Sequence, residues 1–128
     1  MRGSPYRTRS QEMAHFALER VKLQRENLQE QGRYKSYATK LPTMIINNGL
    51  AATLAFMKDK GEQWGQLYAD LQEWFRKIHL LSEQQDLLED ILNRRSAVEY
   101  RRWTREALAV AEWIKRFASA ELQGSAEE

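Results

Sequence analysis

The sequence contains no cysteine, and only two prolines and six glycines occur among its 128 residues. Without cysteine the chain cannot form a disulfide framework, a thiolate zinc site or a cysteine nucleophile. This accords with a reducing cytosol, so we expect a cytoplasmic protein. So few glycines and prolines disfavour a turn-rich β-sandwich or β-barrel. No apolar run approaches the roughly 18 residues of a membrane span, and no apolar segment follows the basic N-terminus as in a secretory signal.

The sequence also has none of the common catalytic motifs. It contains no Gly-x-Ser-x-Gly, no Walker-type phosphate loop, no dinucleotide fingerprint and no His-Glu-x-x-His. Glu12 and His15 have the Glu-x-x-His spacing of di-iron bundles, but such a site needs a second copy, and no glutamate stands three residues before His79. The acidic residues between 83 and 90 are interpreted as a solvated surface. We therefore predict no enzyme, no metal, no cofactor and no small-molecule substrate.

The sequence contains enough apolar residues for one folded core. Hydrophobic residues make up 42% of the chain and aromatic residues 10%. The length predicts a single domain over residues 1–128, with residues 1–8 expected to be flexible or left over from cloning. No segment alternates apolar and polar residues as a half-buried strand would. The prediction is an all-α fold, a single bundle of about five helices.

Helix boundaries are predicted from capping signals. A capping box at Thr8–Gln11 opens the first helix, whose apolar set includes Leu28 and which is predicted to end at Gly32. Residues 34–40 are predicted to form either a short helix or an extended connector. A second helix is predicted over 41–58 and a third over 64–78, separated by a stop at Gly61. A capping box that begins at Ser82 opens a short helix, on which Leu87, Leu88, Ile91 and Leu92 face inward. Another that begins at Ser96 opens a long helix to about residue 122.

The predicted second helix is apolar nearly all round, with Pro42 tolerable only in its first turn. A helix of this kind is expected in the middle of a bundle, so the five helices are predicted to surround it. Asn47 and Asn48 are then favoured as interior amides with hydrogen-bond partners. The alternative is that one of them contacts a partner subunit or a nucleotide.

Arg20 is unusual because it lies within the apolar stripe of the first helix, between Met13, Phe16 and Ala17. Its side chain could extend to the edge of the stripe, pair with an inward carboxylate or mark a polar groove. We favour the ion pair.

The net charge of +2 conceals an uneven distribution. Residues 1–40 hold nine basic and four acidic side chains, residues 41–92 hold four and eight, and residues 93–116 hold seven and three. At 100° per residue, Arg101, Arg102, Arg105 and Arg116 fall within an arc of roughly 100° on the last helix, which also contains Glu112. The residues alone leave two interpretations open, a solvated face and a phosphate-binding face. Trp113 flanks the arc and is favoured as core, with base stacking or a partner contact as the alternative.

Three stretches together resemble one family, the small α-helical subunit of the type III-B CRISPR Cmr ribonucleoprotein. The stretches are KLPTMIINNGLAATLAFM at 40–57, LYADLQEWF at 67–75 and YRRWTREALAVAEWIKRFA at 100–118. The resemblance implies a non-catalytic subunit, present in several copies and stacked along the guide RNA–target RNA duplex beside other Cmr subunits. Target cleavage in that family belongs to another subunit.

The resemblance favours the phosphate-binding interpretation of the basic face. The RNA-binding candidates are Arg94, Arg95, Arg101, Arg102, Arg105, Lys35 and Lys40. These side chains would displace counterions from the phosphates of the guide and target RNA without reading bases. Two other functions stay open: a purely structural spacer between proteins, and a helical DNA-binding regulator, for which no convincing helix-turn-helix is visible.

Overall fold

Six α-helices make up the fold in the computed structural model, which describes residues 7–124 and contains no strand within them. The helices are α1 (Arg9–Gln24), α2 (Gln31–Asn48), α3 (Leu50–Lys60), α4 (Glu62–Lys77), α5 (Leu87–Arg94) and α6 (Ala97–Glu121). The all-α prediction is therefore confirmed, with six helices instead of about five.

Helix α6 is the longest helix, and α1 and α2 pack most extensively against it, whereas α3 packs mainly against α4. The start of α2 lies at the end of α6, where the Gln31 side chain accepts from the Gln123 N–H at 2.8 Å. The end of α2 lies near the start of α6, where the Ala51 N–H donates to the Tyr100 hydroxyl at 3.0 Å. These contacts make α2 antiparallel to α6, and α1 and α4 complete the bundle.

The core consists of side chains at helical spacing on every helix, as the apolar stripes predict. Its largest fully buried members are Trp74, Tyr34, Phe75, Leu41, Ile45, Leu50, Leu54, Met57, Leu67, Leu71, Leu87 and Ile114. On α6 the buried residues include Trp103, Ala107 and Val110. The opposite face of α6 is consequently left to solvent.

The predicted second helix over 41–58 is wrong in its boundaries. Residues 34–40 are helical and belong to α2, so Pro42 lies in the middle of that helix. Helix α2 ends at a break, because Gly49 has a φ of 89° and a ψ of 158°, outside the helical region. Asn47 and Asn48 are both exposed, so the interpretation as interior amides is wrong. Ile46 is 64% exposed, which shows that this segment is buried on one side only.

The predicted end of the first helix is also wrong. Helix α1 ends at Gln24, eight residues before Gly32, and Leu28 in the following turn is 79% exposed. Gly32 lies in the first turn of α2, beside the backbone of Gly124, and a Cβ on Gly124 would lie 2.6 Å from the Gly32 Cα. The close approach therefore requires glycine at position 124, whereas a Cβ on Gly32 would meet ordinary contacts at 3.5 Å.

Two of the three predicted capping boxes are confirmed, at Thr8 and Ser96. The third does not open a helix: the Ser82 N–H donates to the Gln85 side chain within a turn, and Asp86 is the N-cap of α5. Burial of Asp86 opposes ionisation, but hydrogen bonds from the Tyr68 hydroxyl, the Glu89 N–H and Lys58 outweigh it and lower its pKa. Helix α5 therefore starts later than predicted, and it turns Leu92 outward at 64% exposure.

Residues 1–6 of the segment predicted to be flexible lie outside the described residues, whereas Thr8 is held as the N-cap of α1. Within residues 7–124 none of the helices combines the length and the apolar character that a membrane span requires.

Candidate nucleic-acid interface

Three arginines lie on the first half of the exposed face of α6. Arg101, Arg102 and Arg105 are all exposed, and Arg101 and Arg105 lie one turn apart, about 6 Å along the axis. None of the three has an ion pair with a carboxylate among residues 7–124. We call these three residues the arginine cluster. Its guanidinium groups are free to bind an external anion, for which their planar array of donors suits phosphate.

The cluster is held in place by the start of α6. The Ser96 hydroxyl accepts from the Glu99 N–H at 3.2 Å, and the Glu99 carboxylate accepts from the Ser96 N–H at 3.0 Å. The hydrogen bond from the Ser96 N–H and the charge of Arg95 lower the pKa of Glu99. This capping box fixes the direction of the first turn, and Arg101 and Arg102 follow in the second turn, exposed to solvent.

Arg95 differs from the cluster because it is engaged within the molecule. Its Nε donates to Asp90 at 2.8 Å, its Nη1 lies 3.5 Å from Glu99, and its guanidinium stands 4.7 Å from the centre of the Trp103 ring. The hydrogen bond to Asp90 raises the pKa of Arg95. Only about a quarter of its side chain is exposed.

Asp90 is a site residue that sequence reasoning missed. It is 3% exposed, so it does not belong to the solvated acidic surface predicted between residues 83 and 90. Arg94 also approaches it, with Nε 3.6 Å from the Asp90 carboxylate, but the Arg94 side chain remains 64% exposed. Arg94 therefore remains largely exposed at the end of α5, whereas Arg95 is part of the fold.

The two candidate lysines lie on α2, away from the start of α6. Lys35 donates to the carbonyl groups of Leu122 and Gly124, at 3.2 and 3.0 Å. These carbonyls follow the end of α6, about 30 Å along the axis from Arg102. Lys40 is exposed, with its Nζ 6.0 Å from the Tyr37 ring. The structure therefore separates Lys35 from the arginine cluster.

The second half of the exposed face is less strongly basic. Arg116 is exposed and lies close to Glu112, one turn before it. Trp113 is half-buried, and its ring stacks on that of Phe117 with 5.6 Å between the ring centres and an angle of 18°. The predicted assignment of Trp113 to the core is thus only partly right, because one part of the ring remains in contact with solvent.

A second charged region lies between α1 and α4, in a cleft of about 570 Å³ that includes Glu12 and His15. Its basic side chains are largely engaged: Arg20 pairs with Asp70 at 2.7 Å, and Arg76 binds Glu73 at 2.8 Å and two backbone carbonyls. Among residues 7–124, no three histidine, aspartate or glutamate side chains come together as a metal site would require. The favoured interpretation of Arg20 as an ion pair is confirmed.

Comparisons with known proteins agree on one family. The model of the CRISPR-associated protein family Cas_Cmr5 matches residues 9–121. The CRISPR system Cmr subunit Cmr5 of Thermus thermophilus is 38% identical over 119 residues, which cover 89% of this chain and 96% of that protein. A crystal structure of a CRISPR-associated Cmr5 family protein from the same organism matches with a TM-score of 0.76 and 36% identity, covering 91% of this chain and 100% of the other.

Proposed function

This chain belongs to the Cmr5 family of CRISPR-associated proteins, and on that premise we propose that it is a non-catalytic subunit of a cytoplasmic Cmr ribonucleoprotein. In this role the exposed face of α6 lies along the RNA duplex formed by guide and target. Its other contacts are with Cmr subunits and with further copies of itself. In this role the chain carries out no reaction of its own.

The arginine cluster carries the proposal. Arg101, Arg102 and Arg105 present three exposed guanidinium groups within about one helical turn, with no carboxylate partner among the described residues. Guanidinium groups bind phosphate oxygens through charge-assisted, often bidentate hydrogen bonds. Such contacts add affinity by releasing counterions and do not distinguish bases. The choice of target then comes from base pairing with the guide.

The test is a charge reversal within the cluster, made in the assembled complex. We expect Arg101→Glu with Arg105→Glu to weaken target RNA binding about tenfold, equivalent to about 1.4 kcal/mol, and by a similar factor for every target sequence. The measurement is a filter-binding titration with several guide–target pairs.

A matched control reverses two arginines elsewhere on the surface. Arg25 and Arg33 are 51% and 49% exposed, and both are paired with glutamates. Arg25→Glu with Arg33→Glu changes the net charge by the same amount and is expected to leave target affinity within about twofold. Equal affinities for the cluster variant and the wild type would contradict the proposal.

The spacer function remains as the second candidate because of the apolar side chains on the surface. Ile46, Leu92 and Val98 are 64%, 64% and 56% exposed, and contact with a neighbouring protein would remove this apolar surface from water. A spacer would cover them with protein and would leave the arginines without RNA. Photocrosslinking within the target-bound complex separates the two functions, because a spacer gives no crosslink between target RNA and the first half of α6.

A further inference from the structure

Trp113 differs from the other three tryptophans in its exposure. Trp64, Trp74 and Trp103 are 6%, 1% and 3% exposed, and each is part of the core. Trp113 is half-buried and rests on Phe117. Trp113 packs against the core, and the part of its indole that faces solvent is available to a ligand.

The surroundings of Trp113 are cationic and concave. A hollow of about 250 Å³ is lined by Glu112, Trp113 and Arg116, and a neighbouring one of about 340 Å³ by Lys115, Arg116 and Ser119 with Glu112. Two basic side chains therefore face one acidic side chain. Trp113 also lies eight residues after Arg105, about 12 Å further along the same helix.

The combination of a half-buried aromatic ring, adjacent cations and a row of arginines fits a nucleic acid strand better than a protein surface. An apolar protein partner would leave Lys115 and Arg116 buried against it, at a cost in desolvation. A nucleotide satisfies both features, because its base stacks on the ring and its phosphate meets the cations. Stacking accepts any base, so this arrangement adds no sequence preference.

We propose that Trp113, supported by Phe117 and flanked by Arg116, is a stacking site for an unpaired base of the RNA strand whose phosphates contact the arginine cluster. This inference rests on the proposed function and extends it, because the cluster alone recognises only the backbone. The site distinguishes an unpaired nucleotide from a fully paired one, whose base is already stacked inside the duplex.

Fluorescence of the full chain tests the proposal directly, because a base bound to Trp113 quenches its emission and leaves that of the three buried tryptophans unchanged. Two RNA strands of equal length and charge are compared at low salt: an oligouridine and a strand of abasic sites. We expect the oligouridine to quench the emission and the abasic strand to leave it unchanged. Quenching by neither strand, or by both equally, would overturn the stacking site.

Affinities of variants for the same two strands give an independent readout. Loss of one stacked base lowers affinity about 5- to 150-fold, so Trp113→Leu should bind oligouridine more weakly by a factor in this range and the abasic strand with unchanged affinity. Trp113→Phe keeps a ring and should stay within about threefold of the wild type. The matched control is Phe56→Leu, which removes another half-buried ring with a lysine, Lys60, 5.7 Å from its centre.

Failure of this inference is distinguishable from failure of the proposed function. If Arg101→Glu with Arg105→Glu weakens binding of both strands while Trp113→Leu changes neither, the phosphate-binding face stands and Trp113 contacts protein instead. If the charge reversal changes neither strand's affinity, the proposed function fails and the stacking site fails with it. Should Trp113→Leu prove unfolded by circular dichroism, quenching of the wild-type chain decides.

Discussion

Asp70 is the carboxylate on which three helices converge. It is fully buried on α4 and accepts hydrogen bonds from the Tyr34 hydroxyl of α2 at 2.6 Å, from Arg20 of α1 at 2.7 Å and from Gln66 at 3.1 Å. Burial raises the pKa of Asp70, and these donors oppose the rise by stabilising the charged form. Removal of any donor therefore leaves a buried carboxylate that is less well compensated.

Substitution of Tyr34 tests this network. Tyr34→Phe should lower the free energy of unfolding by about 1–3 kcal/mol at neutral pH, because the buried carboxylate loses one donor. Urea unfolding followed by circular dichroism measures it. Tyr37→Phe is the matched control: that ring stacks on Trp64, its hydroxyl has no hydrogen bond within residues 7–124, and it should change stability by less than about 0.5 kcal/mol. Equal effects of the two variants would contradict the network.

The Tyr34 hydroxyl also makes the free energy of unfolding depend on pH, with a sign that its pKa determines. Burial, and then the charge of Asp70, raise the pKa of Tyr34 well above its ordinary value. The folded chain thus holds this proton more tightly than the unfolded chain does. Its contribution to stability is complete below pH about 10 and is lost as the pH rises further. The difference between wild type and Tyr34→Phe should therefore shrink above pH about 10.

Arg20 shows what can be predicted for a single residue. A charge inside an apolar stripe indicates a buried partner, and the ion pair was predicted correctly. Its partner was not, because Asp70 is 50 residues away in sequence, and only the packing of α1 against α4 brings the two together. Asp90 was missed for the same reason. Acidic residues at helical spacing indicate a solvated surface, and the sequence does not show that the tertiary fold buries one of them.

Among the helices, the break between α2 and α3 depends most strictly on one residue type, glycine at position 49. Gly49 has a φ of 89°, and the Tyr100 hydroxyl of α6 accepts a hydrogen bond from the Ala51 N–H just beyond it. Gly49→Ala would place a Cβ 3.5 Å from that hydroxyl and, because of the strained backbone, should destabilise the fold by about 1–3 kcal/mol.

Gly65 is the control for this substitution because it lies within α4, where an added Cβ meets nothing within 4 Å. Gly65→Ala should raise the free energy of unfolding by about 0.5–1 kcal/mol, since alanine loses less backbone entropy in a helix. The urea midpoints should therefore move in opposite directions. A midpoint for Gly49→Ala at or above that of the wild type would show that the segment prefers one continuous helix.

Helix starts were predicted better than helix ends. Thr8 and Ser96 cap their helices because each is followed by a residue whose side chain returns the hydrogen bond. Ser82 has the same local pattern but sits in a turn, and the start of α5 is fixed instead by Asp86, which also binds Lys58 and Tyr68 from other helices. Glycine was the least informative signal: Gly32 lies inside α2 instead of ending the first helix, and Gly49 breaks a helix predicted as continuous.

For the whole molecule, the family resemblance predicted from three stretches is confirmed, and its stretches fall on α2–α3, α4 and α6. The exposed arc of α6 was also predictable, because the spacing of its buried stripe fixes the opposite face. What spacing could not predict is which basic residues are already engaged. Arg95 binds Asp90, and Lys35 binds carbonyls at the end of α6, and both contacts depend on the tertiary fold.

Salt dependence is the whole-molecule test of how many phosphates the chain contacts. A net charge of +2 gives little long-range attraction, so the free chain should bind RNA weakly. Its affinity should still fall with salt, by about 0.7–0.9 in the logarithmic slope for each phosphate contact. Arg105→Gln should reduce the steepness by that amount, whereas Arg33→Gln, which removes a charge paired with Glu30 and Glu62, should leave it unchanged. Anisotropy titrations of labelled RNA over a series of salt concentrations measure both slopes, and an equal change in the two variants would mean that only net charge matters and that no phosphate is held at the cluster.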